Sequence, residues 1–583
     1  MKRILLTPCV LASIFMAGCS QNDELATDGA DKATGYMAIN LKSSDDNTYD
    51  GSPTPYKRAA ASGFEDGLAE ENAVTSVRFY FFNAAGGVAY VKAEGGKNVN
   101  YYDWTPGETE TDMPNDDIEK RYKAVIVIDT NEGDQIPQMM AAVLNPTETT
   151  KARGNLSLSQ LQAITNDYAA SEFTQNGKFV MFNSVYKGED GKAVVAVPIG
   201  SENIAKTEAE AKLHPVRLYV ERGVAKVSVN INLDGYTDGL LALKDSLGTD
   251  ITVESTGGTR EQVFLKLEGW ELTSETDKGR LVKKINPDWN FDWIQNPSYS
   301  YRSCWAINAM DANNKYNNHR AKKTQFNTDY LYTNENAQLT DIGGAQGKAQ
   351  HRTKVKISGL LCKKDGTPLT IVRHQGAHFV DTYDGEDEGK NLPLLKKSIL
   401  NQLVIGGGKT LYTTADGLTF DAIKEEDVKI QIVNQTNQED KNNKGVNCYV
   451  VAQLSEKGQA KKWYSTDDNA TYAQHPVDNA TINKYLYDPA GDGEVVDQAL
   501  VWREGMTYYY YEIWHNKDGR QPGVVRNHIY KTRVTKIAGL GTPVYDPSQT
   551  IYPEKPDPND SFVAAEIDIL SWHVVTDDYE LNW

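Results

Sequence analysis

Several short stretches hold residue types that could do chemistry. Ile405-Gly406-Gly407-Gly408-Lys409-Thr410 has the ending of a phosphate-cradling loop. Such a loop needs a glycine five residues before its Gly-Lys pair and a helix after it. Leu403 stands at the first place, and strand-like Leu411-Tyr412-Thr413 follows at the second. His374 and His378 have the i, i+4 spacing of a zinc helix, but the acidic partner of a zinc peptidase is missing and Gly376 lies between them. On a strand the same pair is roughly 13 Å apart, too far for one ion. Asp381–Gly389 and Asp488–Glu494 are acidic turns without the ligand order of a calcium loop. No nucleophile elbow and no Cys/His dyad stands out. These residues point to no enzyme, cofactor or metal.

Two other positions carry chemistry that happens to the chain. Lys2 and Arg3 precede a largely apolar run, Ile4 to Gly18, that ends at Cys19. The run is shorter than the roughly 20 residues a membrane helix needs. Met16-Ala17-Gly18-Cys19 resembles a bacterial lipobox, which implies cleavage before Cys19 and acylation of that residue. Further on, Lys57-Arg58 follows two prolines and precedes Ala59-Ala60-Ala61. Such a stretch has little to pack and is expected as an exposed loop, where proteolysis concentrates. Arg58 can fill an acidic protease pocket, and small Ala59 leaves room past the scissile bond.

The elements around these positions read as strands. Runs such as Val74–Asn83, Tyr122–Asp129, Met139–Leu144, Val216–Leu233, Val263–Leu272, Thr353–Leu361, Met506–Trp514, Val524–Ile537 and Phe562–Val575 are rich in β-branched and aromatic residues. Gly, Asn and Asp clusters separate them. Helical signals are few, the best being Asn155–Ile164 with Ser157 or Ser159 as cap. The chain is therefore expected to be all-β, in β-sandwiches with long loops. Its 583 residues suggest more than one domain. A boundary is expected near Asp234–Gly239, and 406–503 reads as loops and added strands on the second domain. With a net charge of −19, nucleic acid is not an expected partner. Cys304, Cys362 and Cys448 allow at most one intrachain disulfide, so the chain is no disulfide scaffold.

Five stretches carry a family resemblance. Val216–Ile231, with Glu221-Arg222 and Ala225-Lys226, resembles a strand pair of the fimbrillins, the type V pilins of Bacteroidales. Leu267–Thr273, Tyr301–Asn308 and Tyr330–Ala337 resemble segments of Mfa-like shaft subunits. Gly523–Val544, with Val524-Val525-Arg526-Asn527-His528 and the turn Gly539-Leu540-Gly541-Thr542-Pro543, is similar to their second domain. The resemblance implies two tandem transthyretin-like β-sandwiches, export as an outer-membrane lipoprotein, trimming by an arginine-specific protease and polymerisation into a surface fimbria. It implies as partners further copies of the chain and accessory tip and anchor subunits. Arg526-Asn527-His528 is expected to have a structural hydrogen-bonding role.

Organised on this resemblance, the expected parts are a signal peptide (1–18), a propeptide with the first strand (19–58), an N-terminal sandwich (59–235) and a C-terminal sandwich (236–583). Met37, Ile39 and Leu41 alternate as in a half-buried strand, and so do Tyr579, Leu581 and Trp583. Loss of the first set by cleavage at Arg58 is expected to open an apolar groove, which the second set of a neighbouring subunit can fill. Two other readings are a tip or anchor subunit of the same fimbria and a monomeric glycan-binding lipoprotein using Trp502, Tyr508–Tyr511 and Trp514.

Overall fold

The computed structural model describes residues 33–44, 67–107, 118–130, 136–187, 193–255, 257–284, 314–337, 352–385, 390–405, 410–434 (without 415 and 417), 448–465, 475–487, 499–516, 521–553, 561–571 and 574–577. The molecule is strand-rich with few short helices. Among the described residues no helix is long and apolar enough to cross a membrane.

The first β core begins with Ala33–Ser44 (β1). This strand pairs antiparallel along its whole length with Ile118–Thr130 (β2). On its other edge Ile39–Ser43 pairs parallel with Val216–Arg222 (β3), and Tyr36 and Met37 meet Ala205 and Ile204. The sheet continues through Met181–Asn183, Met139–Leu144, Val77–Phe82 and Tyr101–Trp104. Its apolar side chains gather in one cluster that includes Met37, Ile39, Phe79, Phe81, Ile126, Met140, Phe182 and Leu218. Leu158–Gln162 is a helix capped by Ser157, whose hydroxyl accepts from Gln160 N while Gln160 Oε1 accepts from Ser157 N. That reciprocal pair satisfies two donors that the first helical turn leaves open.

The second β core begins at Val224–Ile231 (β4). This strand pairs antiparallel with Tyr330–Asn334 and parallel with His528–Gly539 (β5). Ser561–Ser571 (β6) lies on β5, and Val574–Asp577 (β7) folds back on β6. A six-stranded sheet built on Phe264–Thr273, Lys354–Cys362 and Met506–Glu512 supplies the opposing apolar side chains. Val227, Trp270, Ile357, Tyr509 and Tyr530 meet in one cluster. The chain thus passes from one core to the other at Gly223. The run Val216–Leu233 is one trace shared by both sheets, and the expected boundary at Asp234–Gly239 falls inside the second body. Turn-rich composition marked the loop after β4, whereas a lone glycine between two apolar runs carries no such mark.

A third apolar cluster, unforeseen in the sequence reading, occupies much of 393–501. Leu395, Ile399, Leu400 and Leu403 line one side of the helix Pro393–Ile405 at helical spacing. They pack with Leu411, Val428, Val450, Trp463 and, from the helix Asn479–Tyr487, Ile482 and Leu486. Leu394 N and Leu395 N donate to the Asp381 carboxylate at 3.2 and 2.8 Å, so this acidic residue caps a helix.

Candidate assembly groove and domain junction

β1 occupies an interior place in its sheet, so both of its edges are paired. Met37 and Ile39 are fully buried and Ala38 nearly so. Leu41 sits opposite Tyr122 on one side and Leu218 on the other. Gly35 lies against Ile204, whose Cγ2 would be 2.9 Å from a β-carbon there. The first strand, expected in the propeptide, is therefore built into the first core. Without it, β2 and β3 would each face an open edge lined by apolar residues.

Not every residue of the proposed processing falls within the described structure. Cys19, Arg58 and Ala59 lie outside it, as do Tyr579, Leu581 and Trp583. The C-terminal stretch read as one strand, Phe562–Val575, is instead the hairpin β6–β7.

Downstream of Arg58, the chain becomes described at Gly67 and runs into a polar junction between the two cores. Glu71 is completely buried. Lys226 Nζ lies 2.7 Å from its carboxylate, and Tyr332 Oη and Leu68 N also donate to it. Burial and the adjacent Glu71 charge raise the Tyr332 phenol well above its ordinary value, so it stays a donor. Arg222 Nε donates to Glu71 O at 3.0 Å, and its Nη2 donates to Asn72 Oδ1. Glu221 pairs with Lys283 at 2.9 Å, and Glu335 with Arg526 Nε at 3.1 Å. The remaining Arg526 nitrogens donate to Leu281 O and Arg280 O. These groups come from both ends of the sequence, and together they satisfy polar atoms that burial would otherwise leave unpaired.

Arg526-Asn527-His528 has the structural role expected, in a different backbone setting. A single strand over Val524–Ile537 is interrupted by a turn. Asn527 has φ 59°, a left-handed value that Asn tolerates better than most residues. Its amide donates to Val224 O at 2.7 Å, and its Oδ1 accepts from Arg222 N. His528 Nδ1 donates to Arg526 O at 2.8 Å. The Gly539–Pro543 turn is similarly tied down. Thr507 Oγ1 donates to Leu540 O, and Tyr509 Oη to Gly539 O. Gly541, at φ 73°, has no room for a β-carbon beside Thr507 Oγ1.

Other sequence candidates resolve into framework. His374 and Ala377 flank a two-residue turn whose Gln375 and Gly376 both have positive φ, the mark of a type I′ hairpin, and His378 lies opposite Arg373. The strand spacing expected for them therefore does not apply. His374 Nδ1 is 2.8 Å from Ser398 Oγ. The Gly-Lys stretch lies between the helix Pro393–Ile405 and the strand Leu411–Thr413, the reverse of a phosphate loop. Trp502, Tyr508, Tyr509 and Tyr511 are buried, and Trp502 Nε1 donates to Gly541 O. The aromatic set read as a glycan surface is thus mostly core. β-Strand alternation failed there because both faces of Met506–Glu512 are covered. Among the described residues no three His, Cys, Asp or Glu side chains gather to hold a metal ion.

Comparison with known proteins agrees with the family resemblance. Residues 501–578 match the model "Major fimbrial subunit protein type IV, Fimbrillin, C-terminal". The span includes β5, β6, β7 and the Gly539–Pro543 turn. No curated protein matches the chain. Among solved structures, a candidate cell adhesion protein from Bacteroides eggerthii aligns at 10% identity over 95% of this chain and 98% of that one, with TM-score 0.30. A fimbrial assembly protein from Parabacteroides distasonis aligns at 10% identity over 75% and 100%, with TM-score 0.26. The tip fimbrial protein Mfa3 from Porphyromonas gingivalis, with a C-terminal truncation, aligns at 10% identity over 91% and 99%, with TM-score 0.24.

Proposed function

We propose that this chain is the shaft pilin of a cell-surface fimbria, a structural protein made as an outer-membrane lipoprotein. The observation that carries the reading is the match of residues 501–578 to the fimbrillin C-terminal model. The burial of β1 between two partner strands supports the assembly step. Acylated Cys19 delivers the precursor to the outer membrane. An arginine-specific protease cuts between Arg58 and Ala59 and so separates the lipid, with β1, from the body of the protein. The groove left between β2 and β3 then accepts the C-terminal strand of a neighbouring copy, with Tyr579, Leu581 and Trp583 in place of Met37, Ile39 and Leu41. The fimbria serves adhesion and biofilm formation, with accessory tip and anchor subunits at its ends.

Each large side chain so buried contributes roughly 1.5–3 kcal/mol, and each ladder hydrogen bond a net ~0.5–1.5 kcal/mol. Ordering the tail opposes this by roughly 1–2 kcal/mol per residue. A head-to-tail contact of this kind does not close on itself and yields a filament.

The test is deletion of Asp577–Trp583. The truncated protein is expected to be exported, folded and cleaved, and to form no fimbriae under electron microscopy. Fimbriae of normal length from that strain would refute the donor role.

A further inference from the structure

Between β3 and β4 there is no linker, only Gly223. β3 lies parallel to β1, with Ile39 opposite Val216 through Ser43 opposite Val220. β4 lies parallel to β5, with Lys226 opposite Ile529 through Ile231 opposite Val534. β5 in turn holds β6, which holds β7. One stretch of main chain thus joins the strand beside the groove to the sheet that carries the C-terminal strands.

A lone glycine at such a crossing is a natural hinge, because it is the least restricted residue. Here it is enclosed. Gly223 N donates to Val180 O at 2.9 Å. Arg222 N and Nη1 both donate to Asn527 Oδ1 at 3.2 Å, and Asn527 N donates to Val224 O. The residues on either side of the glycine are therefore held by one residue of the other domain. Buried ion pairs lie on the adjoining strands: Lys226 of β4 pairs with Glu71, and Glu221 of β3 with Lys283. Arg526 pairs with Glu335 and reaches the first core through Leu281 O. Buried pairs add little net stability, but loss of one partner leaves a charge unpaired, so they penalise any movement that separates them.

We propose that Val216–Ile231 is the strand through which each subunit transmits tension along the filament. Asn527, Arg222, the Lys226–Glu71 pair and the Arg526 hydrogen bonds to Leu281 O and Arg280 O form a clasp that stops the two cores from hinging at Gly223 under load. Parallel neighbours pulled from opposite ends share the strain over all their ladder bonds at once. That geometry resists pulling better than peeling, in which bonds break one at a time. The filament reading enters only as the source of the pull. The stiffness of the junction is a property of one molecule.

Single-molecule pulling on the full chain tests the clasp. Short peptide handles go beside Ile136 and Leu247, which are 63% and 90% exposed and lie in different cores. The wild-type chain is expected to show no low-force lengthening before a core yields. Asn527→Gly keeps the left-handed backbone and removes the side-chain acceptor. It is expected to open at least about tenfold faster at fixed load, equivalent to ~1.4 kcal/mol. Glu71→Gln should act in the same direction, and Lys457→Ala, at a surface pair, should not. Wild-type opening rates in both junction variants would overturn the proposal, as would soft lengthening of the wild type. Circular dichroism at zero load identifies a variant that has lost its fold. In that case Lys226→Met, which removes the Lys226–Glu71 pair, replaces it under the same criterion. Absence of fimbriae from cells making the wild-type chain would sink the filament reading and leave the clasp result standing.

Discussion

His319 shows how one residue sets a pH dependence. It is 5% exposed, and its Nε2 lies 3.8 Å from Glu268 Oε2. Lys323 also faces Glu268, at 3.6 Å, and Lys356 faces Glu271, at 3.8 Å. Burial first, then the positive charges of Lys323 and Lys356, lower His319 to about 4. Burial also raises Glu271 and lowers Lys356, each toward its neutral form. A His with a depressed folded value gives its full stability above the unfolded value of 6.5 and loses it as pH falls toward about 4. Glu271 acts the other way, since its raised value makes the folded state costlier as pH rises through the same range. His319→Gln should therefore gain on the wild type as pH drops from 6.5 to 4, by up to roughly 3 kcal/mol at 1.36 kcal/mol per pH unit. Urea unfolding at several pH values measures this. Parallel profiles for the two proteins would show that His319 has no such part.

Among the elements, β1 is the one whose contribution should depend on processing. Its two edges and its Met37 and Ile39 side chains are all engaged in the first core. Truncating a fully buried Met or Ile to Ala costs about 2–5 kcal/mol. Met37→Ala and Ile39→Ala should each destabilise the precursor by that order in denaturant unfolding. Neither should alter the stability of assembled, processed fimbriae, because on the proposed assembly route the strand has gone by then. Equal losses in precursor and fimbriae would mean that β1 stays in place.

For the whole molecule, the decisive event on the proposed function is the cut at Arg58. Chain upstream of it includes Cys19, the proposed lipid site, and β1, whereas chain downstream enters the junction at Gly67 and is fastened there through Glu71 and Asn72. Processing should thus release the first segment without loosening the second. N-terminal sequencing of fimbriae from intact cells should read from Ala59. A mature chain that still begins at Cys19 would end this account.

Composition, period-two alternation and turn residues were enough to establish an all-β chain with several strands where the structure has them. These are local properties, set by how side chains alternate across a pleated backbone. A strand through Met37 and Ile39 was legible for the same reason, but not that Ala38 between them is buried as well. The Gly523–Val544 motif was legible through its family resemblance. Partners across long sequence separations were not. Nothing local says that Val216–Arg222 and Val224–Ile231 belong to different sheets, because that choice depends on which distant edge is open to each. Nor does local pattern reveal that Glu71 meets Lys226, that Asn527 leaves the strand to hold Gly223, or that Tyr508–Tyr511 are covered on both faces. Burial and charge pairing are settled by what packs on the far side of an element, and only the folded chain supplies that side.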